Sequence, residues 1–170
     1  MKRTVLAAVV ALAAMTAPLV SACAREPEEQ LIYTEDDDAE VLAATAEARK
    51  TLPIFWAKFE AKPAGYDHFA VKVGLKTSAG NEEHIWMDGL GRANGKVTGK
   101  LANEPYDLPG LKEGSLVEVD EAAVSDWQYS KGGKLYGHFT TRALSARANA
   151  AQRAQAAELF SPQPLEAGTN

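Results

Sequence analysis

Two short stretches carry the residue types that could do chemistry. Glu83-His84-Ile85-Trp86 sets a histidine two residues from a tryptophan, and Ser125-Asp126-Trp127-Gln128-Tyr129 sets a hydroxyl and an acid among aromatics. In extended backbone, residues two apart project from one face, so His84 and Trp86 are expected side by side. A histidine with a carboxylate is the minimal acid–base pair, which makes His84 with Asp126 or Glu83 the candidate and Arg142 its cation. No metal is expected: zinc takes three or four ligands, often in closely spaced pairs. The chain has His68, His84 and His138 with no His-x-x-x-His pair, and a single cysteine, Cys23. A Gly-x-Ser-x-Gly elbow is missing, and the glycines at 89, 91 and 95 lack a Walker lysine and a following helix, so they read as a hairpin. No cofactor is expected either.

The same residues have structural readings. Asp and Asn beside turns commonly bond nearby amides, tryptophans anchor small cores, and Arg142 could brace Asp126 or Glu83. Brought together on adjacent hairpins, His84, Trp86, Asn103, Asp126, Trp127, Tyr129 and Arg142 form the expected binding surface, with few polar contacts in an apolar wall.

The elements that must position them are legible from periodicity. Val41, Ala44, Ala48, Leu52, Phe55 and Phe59 recur at spacings of three and four, the stripe of an amphipathic helix from Asp38 onward. Glu35-Asp36-Asp37-Asp38 sits at the positive end of its dipole, a helix start rather than a metal site. Pro53 is expected to kink or break the helix, with Thr51 capping a second short helix to about Glu60. Strands follow at Phe69–Leu75, Glu83–Leu90, Val97–Leu101, Leu116–Val119, Val124–Tyr129 and Leu135–Thr140. In the first of these Lys72 falls on the polar, solvent-facing set. Asn94-Gly95 and Gly132-Gly133 mark two hairpins, because these residues tolerate the positive φ of a type I′ turn. An Ala/Gln-rich helix then runs through 145–160, and 161–170 reads as a disordered tail. The fold class is therefore α+β: an N-terminal helix on a mostly antiparallel sheet of short strands, plus a C-terminal helix.

The front of the chain reads as an address. A basic Met1-Lys2-Arg3-Thr4 precedes an apolar run from Val5 to Ala17, too short to span a bilayer and fit for a secretory signal. Val20-Ser21-Ala22-Cys23 resembles a bacterial lipobox, so residues 1–22 are the expected signal peptide, Cys23 the lipidated residue and 23–36 a flexible tether. Plain secretion, cleaved after Ala24, is the alternative, and the lone cysteine favours lipidation because an exported chain gains nothing from an unpaired thiol. The expected location is therefore membrane-anchored, facing the periplasm or cell exterior. Removing Lys2 and Arg3 leaves 16 basic against 23 acidic residues, a charge of −7, which argues against a nucleic-acid partner.

The ordered anchor points also resemble a known family. Ala48-Arg49-x-Thr51-Leu52-Pro53-x-Phe55 leads to Phe69-x-Val71-Lys72 and Glu83-His84-Ile85-Trp86. Gly99-x-Leu101-x-Asn103-x-Pro105, Gly114, Ser125-Asp126-Trp127-x-Tyr129 and Gly137-x-x-Thr140-x-Arg142 follow. In that order, over roughly Glu40 to Leu144, they resemble the DUF2314 family, also called YegJ-like proteins. The resemblance implies one bacterial domain at 37–144, lends no catalytic assignment and leaves the Ala/Gln-rich segment outside. The expected function is an envelope lipoprotein that binds another envelope or secreted protein. The alternative is a small ligand-binding or hydrolase domain using His84, Asp126 and Arg142.

Overall fold

The computed structural model describes residues 3–6, 32–35 and 38–168. Cys23 and most of the expected signal peptide and tether lie outside these residues. Two backbone segments from that region are described, strand β1 (Arg3–Leu6) and strand β2 (Ile32–Glu35), which pair antiparallel.

Helix α1 (Ala39–Ala61) begins where the acidic run predicts, because the Asp38 carboxylate accepts from the Glu40 and Val41 amides at 3.1 and 3.2 Å. Arg147 clamps this start from the far end of the chain, bonding Asp38 and Glu40. Of the two expectations at Pro53, the break does not occur: the helix is continuous from Ala39 to Ala61. Pro53 faces solvent, while Leu52, Phe55 and Trp56 around it are buried against the sheet. Burying three large side chains, at about 1.5–3 kcal/mol each, outweighs the roughly 3 kcal/mol cost of an interior proline. Thr51 is accordingly no cap; its hydroxyl bonds back to the Glu47 and Ala48 carbonyls at 2.8 and 3.1 Å. Lys62, in the left-handed region at φ 45°, ends the helix ahead of Pro63.

Six strands follow, pairing antiparallel throughout: β3 (Tyr66–Lys76), β4 (Glu82–Ala93), β5 (Lys96–Leu101), β6 (Leu116–Asp120), β7 (Val124–Lys131) and β8 (Lys134–Gly137). Their lateral order is β6-β5-β4-β3-β7-β8. Both predicted hairpins form, with Asn94 and Gly95 at φ 51° and 73° and Gly132 and Gly133 at 57° and 75°. β1 lies parallel to the start of β4, Val5 opposite Glu83 and Leu6 opposite His84.

Alternation along the strands assigns the two faces. Val71, Met87 and Trp127 stand in register and pack under α1, where the Phe55 and Trp127 rings lie 5.6 Å apart. Trp127 is tied there by its indole N–H, which donates to the Ala48 carbonyl at 3.0 Å. On the opposite face stand Lys72, Trp86 and Asp126, also in register.

The C-terminal part departs from the sequence reading. The last strand stops at Gly137, because His138 takes φ 56° and helix α2 (Phe139–Ala146) starts at once. The single expected helix is two, since Asn149 opens helix α3 (Ala150–Leu159) with a reciprocal capping box to Gln152. Residues 161–168 do not form the expected disordered tail. Phe160 bridges Leu135, the Ser161 amide bonds the Leu135 carbonyl at 2.9 Å, and the Pro164 carbonyl accepts from Gly137 at 2.8 Å. Leu165 then packs on the core.

Candidate functional site

The residues expected to form a surface are largely interior. Asp126, Trp127 and Tyr129 are fully buried, Trp86 is 6% exposed and Asn103 8%. Trp127 and Tyr129 point to the α1 face and their rings stack 5.7 Å apart in the core, so neither belongs to a common surface with Trp86. Their aromatic size, which suggested recognition, serves packing instead.

On the opposite face the structure does assemble a polar cluster, and its centre is a residue that sequence reasoning placed in solvent. Lys72 is completely buried. Its ammonium donates to the Thr140 hydroxyl at 3.0 Å and stands 4.9 Å from the centre of the Trp86 ring. Thr140 Oγ1 in turn donates to Asp126 Oδ2 at 2.6 Å. The carboxylate also accepts from the amides of Trp127 (2.8 Å), Phe139 (3.0 Å) and Thr140 (2.8 Å). Asp126 thus holds the first turn of α2 from a neighbouring strand, an N-cap supplied across the fold. Burial pushes the Lys72 ammonium down to about 8, against the pull of Asp126. Burial likewise raises the Asp126 carboxyl, opposed by Lys72 and by its hydrogen-bond donors.

His84 and Asp126 therefore make no acid–base pair. Asp126 accepts from the Trp127 amide and from Phe139 and Thr140 of α2, while His84 Nδ1 meets Ser125 Oγ at 2.9 Å and Nε2 lies 3.9 Å from Glu82. Ser125 is only 1% exposed and bonds the Lys72 carbonyl, which closes it to a substrate. Glu83 points to the α1 side and accepts the Tyr106 and Asp107 amides, each at 2.8 Å, anchoring the loop after β5. Arg142 is a brace, but to carbonyls rather than acids: Gly137 at 2.8 Å, Ser161 at 2.9 Å and Leu135 at 3.2 Å, with its guanidinium 4.8 Å over the Phe160 ring. Asn103 donates weakly to the Glu104 carbonyl at 3.4 Å, and its Oδ1 is buried without a partner. His138, the other end of this cluster, lies tilted between Trp86 and Phe160 with ring centres 5.0 Å from each, and burial holds its imidazole well below the usual range.

A second cluster, unseen in the sequence, lies on the α1 side where the chain returns. Glu166 accepts from the Tyr66 and Tyr129 hydroxyls at 2.8 Å, pairs with Lys58 at 2.9 Å and bonds Lys131. Burial opposes its ionisation, yet these donors hold its carboxyl at about 2. Burial and the adjacent Glu166 both push the Tyr129 phenol up. Among the described residues no group of His, Cys, Asp and Glu is arranged to hold a metal, and no helix is long and apolar enough to cross a membrane.

The comparisons follow the same outline. A family model described as "Uncharacterized protein conserved in bacteria (DUF2314)" matches residues 38–159, so it takes in the Ala/Gln-rich helix expected to lie outside. The chain is 30% identical over 115 residues to "Uncharacterized protein YegJ" of Escherichia coli K12, covering 68% of this chain and 73% of that protein. It is also 30% identical over 132 residues to a putative ankyrin repeat protein of Neisseria meningitidis serogroup B, covering 74% of this chain and 52% of that protein. The chain thus spans about half the length of the Neisseria relative. No solved structure matches it. With the match running from the α1 cap through the sheet to the end of α3, this chain belongs to the DUF2314 family.

Proposed function

We propose that this protein is exported, lipidated at Cys23 and held at the membrane facing the periplasm or cell exterior, where its domain binds another envelope or secreted protein without catalysing a reaction. The sequence supports the address through the basic start, the apolar run and the small residues ahead of the lone cysteine. The observation that carries the binding reading is the division of polar groups. Asp126 and Arg142, which a hydrolase would need free, are engaged with backbone amides and carbonyls. The outer edge of β6, by contrast, pairs with no strand among the described residues. Its first residue, Leu116, is 72% exposed. An open edge with an apolar side chain at its head suits the addition of a partner's strand.

Export would remove Arg3–Leu6, and with them the parallel neighbour of β4 at Glu83 and His84. The partner-binding domain is then the part from Asp38 onward, tethered by the lipid.

Two measurements test the reading. Radiolabelled palmitate should enter the protein in bacterial cells and be lost in Cys23→Ala; incorporation in neither chain overturns the lipoprotein assignment. A photo-crosslinking residue at Leu116 should give one discrete adduct with an envelope protein, absent when the residue is placed at Lys50 on the exposed side of α1. Equal adducts from both positions, or none from Leu116, overturn the β6 surface.

A further inference from the structure

The Glu166 cluster is built like a ligand site whose occupant happens to be covalently attached. Its receptor groups come from three elements: Lys58 of α1, Tyr66 of β3, and Tyr129 and Lys131 of β7. All fall inside the family match at 38–159, whereas the occupant, residues 160–166, lies beyond it. Lys58 and Lys131 both donate to the Tyr66 hydroxyl, at 3.2 and 2.9 Å, which brings two cations onto one phenol. Like charges gathered this way repel unless an anion sits between them, and Glu166 supplies that anion. Two phenol donors complete a cradle for both carboxylate oxygens.

The approach to the cradle has the form of peptide capture. Phe160 pairs parallel with Leu135, Ser161 N–H and Pro164 C=O bond the edge of β8, and Leu165 packs against the core. Pro162 and Pro164 have no amide to donate and a fixed φ, and the chain bends through 162–165 between the β8 edge and the cage, so the turn into the cage is reached at low entropic cost. Main-chain bonds to a sheet edge for affinity and a side-chain pocket for selection are how sheets take up peptides, and here one bridge and two main-chain bonds precede the pocket.

We infer that the β8 edge with the Lys58–Tyr66–Tyr129–Lys131 cage is a binding site for a proline-bearing acidic segment of another polypeptide, one with an apolar residue directly before a glutamate, and that this chain occupies the site with its own residues 160–166. The assignment goes beyond the export reading and does not rest on it. The tail sets the threshold: a partner segment must displace it, so binding in trans is weaker than the bare cage allows.

The test uses fluorescein-labelled peptides and fluorescence anisotropy. One peptide carries the sequence of residues 160–168; a second keeps only its Pro-x-Pro-Leu-Glu pattern with Ser and Ala elsewhere; a third replaces the glutamate with glutamine. A chain ending at Leu159 should bind the first two within about threefold of each other and the glutamine peptide at least tenfold more weakly. Lys131→Ala in that chain should weaken the glutamate peptide to the glutamine level. The full chain should bind at least tenfold more weakly than the shortened one. A folded shortened chain that binds neither glutamate peptide, or binds the glutamine peptide equally, overturns the assignment. If the shortened chain fails to fold by circular dichroism, the full-length Leu165→Ser, Glu166→Ser variant replaces it. That variant must bind the pattern peptide at least tenfold better than the unaltered chain, and equal binding overturns the site.

Discussion

The Asp126 carboxylate lies 2.6 Å from the Thr140 hydroxyl and 2.8 Å from the Thr140 amide, so one acid on β7 both caps α2 and faces the buried Lys72 ammonium through a shared hydroxyl. The first turn of α2, whose amides would otherwise be unsatisfied, is tied to β7 through that carboxylate, while Arg142 ties the same helix to β8. Asp126→Ala should therefore cost about 3–5 kcal/mol, the penalty for leaving a buried cation without its counter-charge. Thr140→Val, which keeps the shape and removes the bridge, should cost about 1–3 kcal/mol. Urea unfolding measures both. A loss below about 1 kcal/mol for Asp126→Ala would show that α2 is held by packing instead.

Lys72 makes stability depend on alkaline pH. Its folded pKa is lowered to about 8 from 10.5, so between these values the unfolded chain binds more protons than the folded one. Stability then rises with pH across that window, by up to about 3 kcal/mol. Tyr129, whose phenol is pushed up, acts with the opposite sign above its ordinary value near 10. The Lys72→Met chain separates the two: its stability should be flat from pH 8 to 10 where the unaltered protein's climbs. Parallel curves would remove Lys72 as the cause.

Glu166 governs the acid side. Its folded carboxyl is held at about 2, below the ordinary 4.5, so the stability it contributes is complete above 4.5 and is lost as pH falls toward 2. At its partly exposed position the effect should be about 1–2 kcal/mol after solvent screening. Glu166→Gln should lose that amount at pH 7 and little more at pH 3. Protease cleavage near Ala167 should rise in step as the tail releases.

Gly137 is where β8 turns into α2, at φ 75°, and a Cβ there would meet the Trp127 carbonyl oxygen at 2.1 Å. No side chain flexes that oxygen away, because it accepts the His138 amide at 2.9 Å. Gly137→Ala should cost about 2–5 kcal/mol through the left-handed backbone and the clash together. Gly133→Ala, with φ 75° but open space around it, should cost about 1–2 kcal/mol. Thermal unfolding of the pair checks the order.

Removing residues 1–37 tests how far the two leading strands matter. β1 touches the rest of the sheet through Val5 and Leu6 opposite Glu83 and His84, and β2 pairs with β1. A chain beginning at Asp38 should keep its circular dichroism and its melting temperature within a few degrees. A collapse of the transition would mean that the leading strands complete the sheet.

Local chemistry explains what the sequence made legible. Asn94-Gly95 and Gly132-Gly133 dictate their hairpins because a positive φ is a property of the residues themselves. The stripe through Ala48, Leu52 and Phe55 likewise marks the helix and its buried face. The boundary at Asp38 came from the same kind of short-range bond, and so did the capping box at Asn149, a signal the Ala/Gln-rich reading passed over.

The tertiary structure alone decided which polar residues are interior. Lys72 sits in an alternating strand whose pattern puts it in water; it is buried because Trp86, Asp126 and Thr140, remote in sequence, close over that face. Glu166 meets Tyr66 across 100 residues of chain, a pairing that no local preference encodes. The start of α1 and the two hairpins follow from bonds and backbone preferences of near neighbours, and these the sequence determined by itself. The partners of Asp126, Arg142 and Glu166 depend on which faces the packed elements bring together, and that is settled only when the core closes.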